Sequence, residues 1–217
     1  MIQRLFLIFT LSFFSLLATA ESLPNKIRLN FVGPFQVPAS MTFTHGNGQY
    51  ALDTNVNIPF KNMEFISRGQ LIDNRLITES FTDIRGGKPY ASAQFDKVNK
   101  KIQYGRNGQA LEAEMTALAQ DFFTTAWQAT LNKGPLTEKV ITTNGKKVYD
   151  RPPFVAAGTD EAYINGQKTT INLYTSGEGD DRVELGLSPS NYYVPALIAY
   201  YEKGKRYELR LRNYVAE

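Results

Sequence analysis

The chain has 217 residues, 42% hydrophobic and 21% charged, with 24 Lys and Arg against 21 Asp and Glu, one His and no Cys. A chain without cysteine makes no disulfide scaffold, no Cys/His zinc site and no cysteine hydrolase, and this apolar content excludes a disordered tail. At roughly 100–200 residues per domain, the length fits one globular unit with ample core.

The first twenty residues read apart from the rest. Met1-Ile2-Gln3-Arg4 carries positive charge, Leu5 to Leu17 is apolar but for Thr and Ser, and Ala18-Thr19-Ala20 is a small-x-small cleavage sequence, the layout of a secretory signal peptide. As a helix, Leu5 to Leu17 would span about 20 Å, short of the roughly 30 Å hydrocarbon core, so a membrane anchor is the poorer reading. Cleavage after Ala20 leaves a single β-rich domain, 21–217, with 23 basic and 21 acidic residues once Arg4 is gone. That near-neutral balance implies no nucleic-acid partner. There is no Cys to take a lipid after the cleavage site, and no later apolar run approaches about eighteen residues. The expectation is an exported periplasmic protein with neither lipid nor transmembrane anchor.

Turn signals divide the mature chain regularly. Gly46-Asn47-Gly48, Pro59, Asp73-Asn74, Gly86-Gly87 and Asn99-Lys100 follow one another at intervals of about thirteen residues, each a residue type that accepts turn geometry or breaks a ladder. Between them the period is two. Tyr50, Leu52, Thr54, Val56 and Ile58 alternate with Ala51, Asp53, Asn55 and Asn57. Ile27, Leu29 and Phe31 alternate in the same way, as do Ala91, Ala93 and Phe95, and Tyr207, Leu209 and Leu211 against Glu208, Arg210 and Arg212. Such alternation predicts antiparallel strands with one wet face. Strands of about ten residues are long, and long strands in a meander twist and curl. The predicted fold is therefore all-β and mainly antiparallel, a long-stranded curled meander sheet or open barrel.

One segment breaks the pattern. Leu111 to Leu131 holds neither Pro nor Gly, and on a 100° wheel Leu111, Met115, Leu118, Ala119, Phe122, Phe123, Ala126, Trp127 and Ala129 fill about half the circumference. Gln120, Asp121, Thr124, Thr125 and Gln128 fill the other half. This predicts one amphipathic helix inserted mid-chain and stopped by Asn132-Lys133-Gly134-Pro135. Two readings of its apolar face stay open. It closes a mouth or the concave side of the sheet, or Phe122, Phe123 and Trp127 line a groove for an apolar ligand.

Strand signals resume after the helix. Asn144-Gly145, Asn165-Gly166 and Glu202-Lys203-Gly204-Lys205 mark turns between strands expected at Glu138–Thr143, Lys146–Asp150, Asp160–Ile164, Lys168–Thr175, Arg182–Leu187, Tyr193–Tyr201 and Arg206–Tyr214.

The closing stretch, Asp181 to Pro189, then Tyr193-Val194-Pro195 to Tyr200, then Gly204 to Leu211, resembles the final hairpin of the domain-of-unknown-function 3108 family. Upstream, Gly87-Lys88-Pro89 with Ala93-Gln94-Phe95-Asp96 is similar to that family's central strand, and Ala119-Gln120-Asp121 with Trp127-Gln128 to its helix. The resemblance implies a periplasmic β-rich domain of unassigned function. It brings no catalytic residue.

The residues themselves announce no reaction. His45, the single imidazole, is expected exposed at a hairpin tip, without a Cys nucleophile or a second His for a metal. There is no Gly-x-Ser-x-Gly, and Gly105-Arg106-Asn107-Gly108 lacks the Lys-Ser/Thr of a phosphate loop. Glu178-Gly179-Asp180-Asp181 lacks calcium-loop spacing and reads as a solvated turn, while Asp160 and Glu161 would point to opposite sheet faces. Lys203, Lys205, Arg206, Arg210 and Arg212, interleaved with Glu202 and Glu208, read as a wet strand face guarded against edge pairing, with contact to anionic envelope polymers or headgroups as the second reading. No catalytic residue, metal or cofactor is predicted. The expected function is non-enzymatic: binding or carrying an apolar, lipid-like or peptide ligand at Phe122, Phe123 and Trp127. The alternative is a structural or interaction protein of the cell envelope with a filled core, its partner another envelope protein.

Overall fold

In the computed structural model, which describes residues 23–59 and 61–217, two meanders flank a short insert. The residues read as a signal peptide, 1–20, lie outside the described residues. The first meander comprises β1 (Lys26–Val32), β2 (Pro38–Gly46), β3 (Gln49–Ile58), β4 (Lys61–Ile72), β5 (Arg75–Arg85), β6 (Lys88–Asp96), β7 (Lys101–Arg106) and β8 (Leu111–Glu114). The insert holds β9 (Leu118–Asp121), α1 (Phe122–Leu131), β10 (Val140–Thr143) and β11 (Val148–Arg151). The second meander comprises β12 (Val155–Ile164), β13 (Gln167–Ser176), β14 (Val183–Ser188), β15 (Val194–Glu202) and β16 (Lys205–Ala216). Strand β16 pairs with β1, so the meanders join in one antiparallel sheet of 13 strands whose edges are β12 and β8.

The turn residues do what their chemistry allows. Asn47-Gly48, Asn165-Gly166 and Lys203-Gly204 all have positive φ and connect hairpins through two residues, the backbone twist that matches twisted strands. Strands β2 to β6 run 9 to 12 residues, and register shifts at Asn30/Phe31, Arg68/Gly69, Asp83/Ile84, Ala156/Thr159 and Gly186/Leu187 bend them. Each shift inserts a kink and adds twist, so a sheet of this length curls rather than lying flat. The result is the predicted all-β, mainly antiparallel curled sheet, barrel-like and not closed.

Its inner face is the one the alternation marked. Ile27, Leu29, Phe31, Met41, Phe43, Tyr50, Leu52, Ala93 and Leu211 are buried. Over β14 and β15 both faces are covered, and Val194 to Ala199 are buried without a break. The β12–β13 hairpin folds back over β16 here: Arg210 Nη1 lies 3.0 Å from Asp160, and the Asn165 amide donates to the Arg212 carbonyl at 2.9 Å. A Cβ on Gly186 would stand 2.9 Å from Leu197 Cβ and 3.0 Å from Ile171 Cδ1, so glycine makes room here for the side chains of the flanking strands β15 and β13.

Three expectations need correction. The helix occupies Phe122–Leu131, not Leu111–Leu131. Leu111–Glu114 instead extends the large sheet beside β7, and Leu118–Asp121 pairs in parallel with β10. Strand neighbours outweigh an accidental helical spacing of Leu111, Met115 and Leu118, and Asp121 caps the true start, accepting from Phe123 N at 3.0 Å and Thr124 N at 3.1 Å. His45 is not in an exposed turn; it is part-buried at the end of β2, with Nε2 3.1 Å from the Pro24 carbonyl oxygen. The basic face of β16 guards no edge, because β16 is paired on both sides.

Candidate functional site

The insert fills the concave side of the sheet. Helix α1 runs from one mouth, where Phe122 and Phe123 meet β4 and β15, to the other, where Gln128 meets the β4–β5 turn. The polar half of its wheel does not face water. Thr124, Thr125, Gln128 and Thr130 are all buried, as are Gln120 and Asp121 just before it. A helix so enclosed must satisfy its polar atoms internally. Gln128 accepts from the Leu76 amide at 2.7 Å and donates to the Asn74 carbonyl at 2.9 Å, and Gln120 donates to the Leu76 carbonyl at 2.7 Å.

Asp121 centres a second network. Its carboxylate accepts from the Thr124 hydroxyl and from two backbone amides, with the Ser67 hydroxyl also in reach. Tyr50 Oη donates to Thr78 Oγ1 at 3.0 Å and lies 3.4 Å from Thr124 Oγ1. Burial raises the Asp121 carboxyl above the ordinary carboxylate range, and burial followed by the nearby Asp121 raises the Tyr50 phenol. The network is sealed from solvent, with Asp121 and Thr124 both at 0% exposure. Its evident work is to cap α1 and join it to β3–β5.

Trp127, one of the predicted ligand residues, is wholly enclosed. Its indole stacks on Phe43 with ring centroids 4.3 Å apart and donates to Met41 Sδ at 2.9 Å. Phe122 and Phe123 stand apart from it, half-buried at the mouth. Phe123 packs 5.2 Å from Phe65, Phe122 packs 6.3 Å from Tyr200, and Tyr200 stacks on Tyr207 at 5.2 Å. The structure thus brings Phe122 and Phe123 into one aromatic patch with Phe65 of β4 and Tyr200 and Tyr207 of β15–β16. Sequence reasoning missed these last three, whose distance along the chain leaves no local signal.

Beside this patch lies a charged cluster. The Asp83 carboxylate, 1% exposed, takes Arg85 Nε at 3.0 Å and Nη2 at 2.8 Å. The Arg85 guanidinium also lies 3.8 Å over the Tyr90 ring. The hydrogen bond to Asp83 holds the Arg85 pKa up, and a hydrogen bond from Arg106 lowers the Tyr90 phenol. At the opposite mouth, a cleft of about 580 Å³ is lined by Ile77, Leu118 and Leu136 together with Asn74, Gln128 and Asn132, and is bridged by Arg75 and Glu138 at 3.6 Å. Among the described residues, no group of three His, Cys, Asp or Glu side chains could hold a metal ion, and no helix is long and apolar enough to cross a membrane.

No protein-family model matches the chain, and no curated protein matches it. Among solved structures, it is similar to the crystal structure of a beta-barrel-like protein of domain of unknown function DUF1849 from Brucella abortus, with a TM-score of 0.52 and 6% identity over 90% of this chain and 98% of that one. At that identity the likeness shows the fold alone. It agrees with an uncharacterised barrel-like domain and leaves membership of the 3108 family unconfirmed.

Proposed function

We propose that the protein is an exported, non-enzymatic component of the cell envelope, in which the filled barrel is a scaffold and the working surface is the mouth carrying Phe122 and Phe123. The observation behind this reading is the burial of α1 on every side. Trp127, Ala126 and Ala129 are at 0% exposure, which leaves no room along the helix for an apolar cargo. A ligand contacting Phe122 and Phe123 would rest on the mouth, with Trp127 bracing the helix from behind. The leader-like sequence before Glu21 supports export to the periplasm. The order of β14, the Ser188-Pro189 turn, β15, the Lys203-Gly204 turn and β16 supports distant kinship with the 3108 family.

Two measurements test the reading. Native mass spectrometry of protein taken from the periplasm should give the mass of the chain beginning at Glu21 and nothing bound inside. A bound apolar molecule that is lost on Trp127→Ala would replace the scaffold reading with an interior carrier. A photo-crosslinking residue at Tyr200 should form adducts in cells, whereas one at Val98, 91% exposed at the opposite end, should not. Adducts from position 98 alone would move the working surface to the other mouth.

A further inference from the structure

The strand directions place seven features on one end of the barrel with the Phe122/Phe123 patch. These are the β1–β2, β3–β4, β5–β6, β7–β8 and β13–β14 turns, the β10–β11 turn, and the top of β15. The β10–β11 turn is seated on β6, where a Cβ on Gly145 would lie 3.1 Å from Ala91 Cβ. This rim carries Lys61, Lys88, Arg106 and Lys146, none of which pairs with a carboxylate among the described residues. Arg85 adds a fifth cation, matched by the buried Asp83. On the far side of the mouth the charge is mixed: Arg206 pairs with Glu184 and Glu208, Arg210 pairs with Glu208 and Asp160, and the β13–β14 turn presents the exposed carboxylates Glu178, Asp180 and Asp181. Glu202, which reaches toward Tyr200, stands opposite Lys205 in the hairpin register.

The same rim displays an apolar point. Phe35 is 99% exposed at the tip of the β1–β2 turn, and both it and Gln36 have φ near +60°, at 56° and 60°. A bulky residue avoids that region unless the surroundings hold it there. Here the turn is closed by the Gly33 amide donating to the Val37 carbonyl at 2.7 Å. Ile58, 38% exposed, stands on the neighbouring β3–β4 turn. The opposite end also exposes an apolar residue, Val98, beside Lys97 and Lys101, which pair with Glu79 and Glu112, and beside Lys100, which pairs with no carboxylate among the described residues. The Phe35 rim carries four such cations on one arc, Lys61, Lys88, Arg106 and Lys146.

We infer that this rim docks on an anionic lipid surface, with Lys61, Lys88, Arg106 and Lys146 against the phosphates and Phe35 entering the headgroup layer. The inference rests on the reading that this mouth is the working end, and it names the partner. Charge complementarity selects the occupant, since a lipid interface takes up both an exposed aromatic side chain and a basic arc.

The test is co-sedimentation of the mature chain with vesicles of phosphatidylcholine, alone or mixed with phosphatidylglycerol. Binding is expected only to the mixed vesicles and should weaken with salt. At roughly fivefold per cation near such a surface, the Lys88→Gln/Arg106→Gln double variant should lose about thirtyfold in affinity. Phe35→Ser should lose about tenfold, the lower end for burying a Phe side chain. Both variants change exposed residues, and an unchanged circular dichroism spectrum and melting temperature would establish that they fold. The far-end variant Val98→Ser/Lys100→Gln should bind as the parent does. Equal binding to both vesicles, no binding to the mixed ones, or insensitivity to the rim variants would overturn the inference. If Tyr200 still crosslinks to an envelope protein when no vesicle is bound, the lipid assignment fails and the working mouth stands. If only the far-end variant loses binding, both fail.

Discussion

The side-chain amide of Gln128 donates to the carbonyl oxygen of Asn74 at 2.9 Å and so ties the last turns of α1 to the β4–β5 hairpin. The same side chain accepts from the Leu76 amide, which leaves two backbone groups dependent on one residue. Gln128→Met keeps most of the volume and removes both bonds. A loss of about 2–4 kcal/mol is expected in urea unfolding, from two buried groups left unpaired. A loss under about 0.5 kcal/mol would mean that water reaches them from the adjoining cleft.

Trp127→Ala empties the centre of the core. With the ring stacked on Phe43 and the indole bonded to Met41, the expected loss is about 3–5 kcal/mol, read from the denaturation midpoint. Trp127→Phe should recover much of it by keeping the stack. If alanine there cost no more than a surface substitution, the interior would not be packed as described.

Asp83 and Arg85 form a pair with unequal exposure. Removing the cation strands a carboxylate that is 1% exposed, so Arg85→Ala should cost about 3–5 kcal/mol. Asp83→Asn/Arg85→Gln should cost clearly less, because no uncompensated charge remains buried. A double variant worse than the single would contradict this account.

Burial raises the Asp121 carboxyl in the folded chain, and the sign of its effect follows. The folded state holds the proton more tightly than the unfolded state. The stability tied to it is therefore fully present below the unfolded carboxylate pKa and is lost as pH rises through the raised folded value. Asp121→Asn cannot ionise. The stability of wild type minus that of Asp121→Asn should fall as pH is raised from about 4 through the weakly acidic range, by at most about 1.4 kcal/mol per pH unit. A flat or rising difference would place the ionised form as the one the fold prefers.

Much of the sheet was legible because its signals are local. Tyr50, Leu52 and Thr54 alternate with wet neighbours, and Asn-Gly pairs sit where φ must be positive. The insert was harder to read because its partners are distant. Leu111 and Leu118 carry helical spacing, and what makes them strand residues is pairing with Tyr104 and Val140. Gln120, Thr124 and Gln128 look like a solvent face, yet Leu76, Asn74 and Tyr50 arrive from β3–β5 to bond them. Asp121 was the local clue to the helix start, an Asp directly before the aromatic run. At the mouth, Phe122 and Phe123 were readable as one face of a helix, whereas Phe65, Tyr200 and Tyr207 join them only through the curl of the sheet.

The pairing of β1 with β16 puts the contact of greatest sequence separation in the middle of the wall rather than at its edge. Each meander alone is a half-cylinder, with part of α1 to cover and no opposing wall. Neither half reaches its final burial until the seam forms, so the seam couples them into one cooperative unit. Loop-closure entropy must be met before that contact yields stability, which places this architecture among slow folders, on the order of milliseconds to seconds.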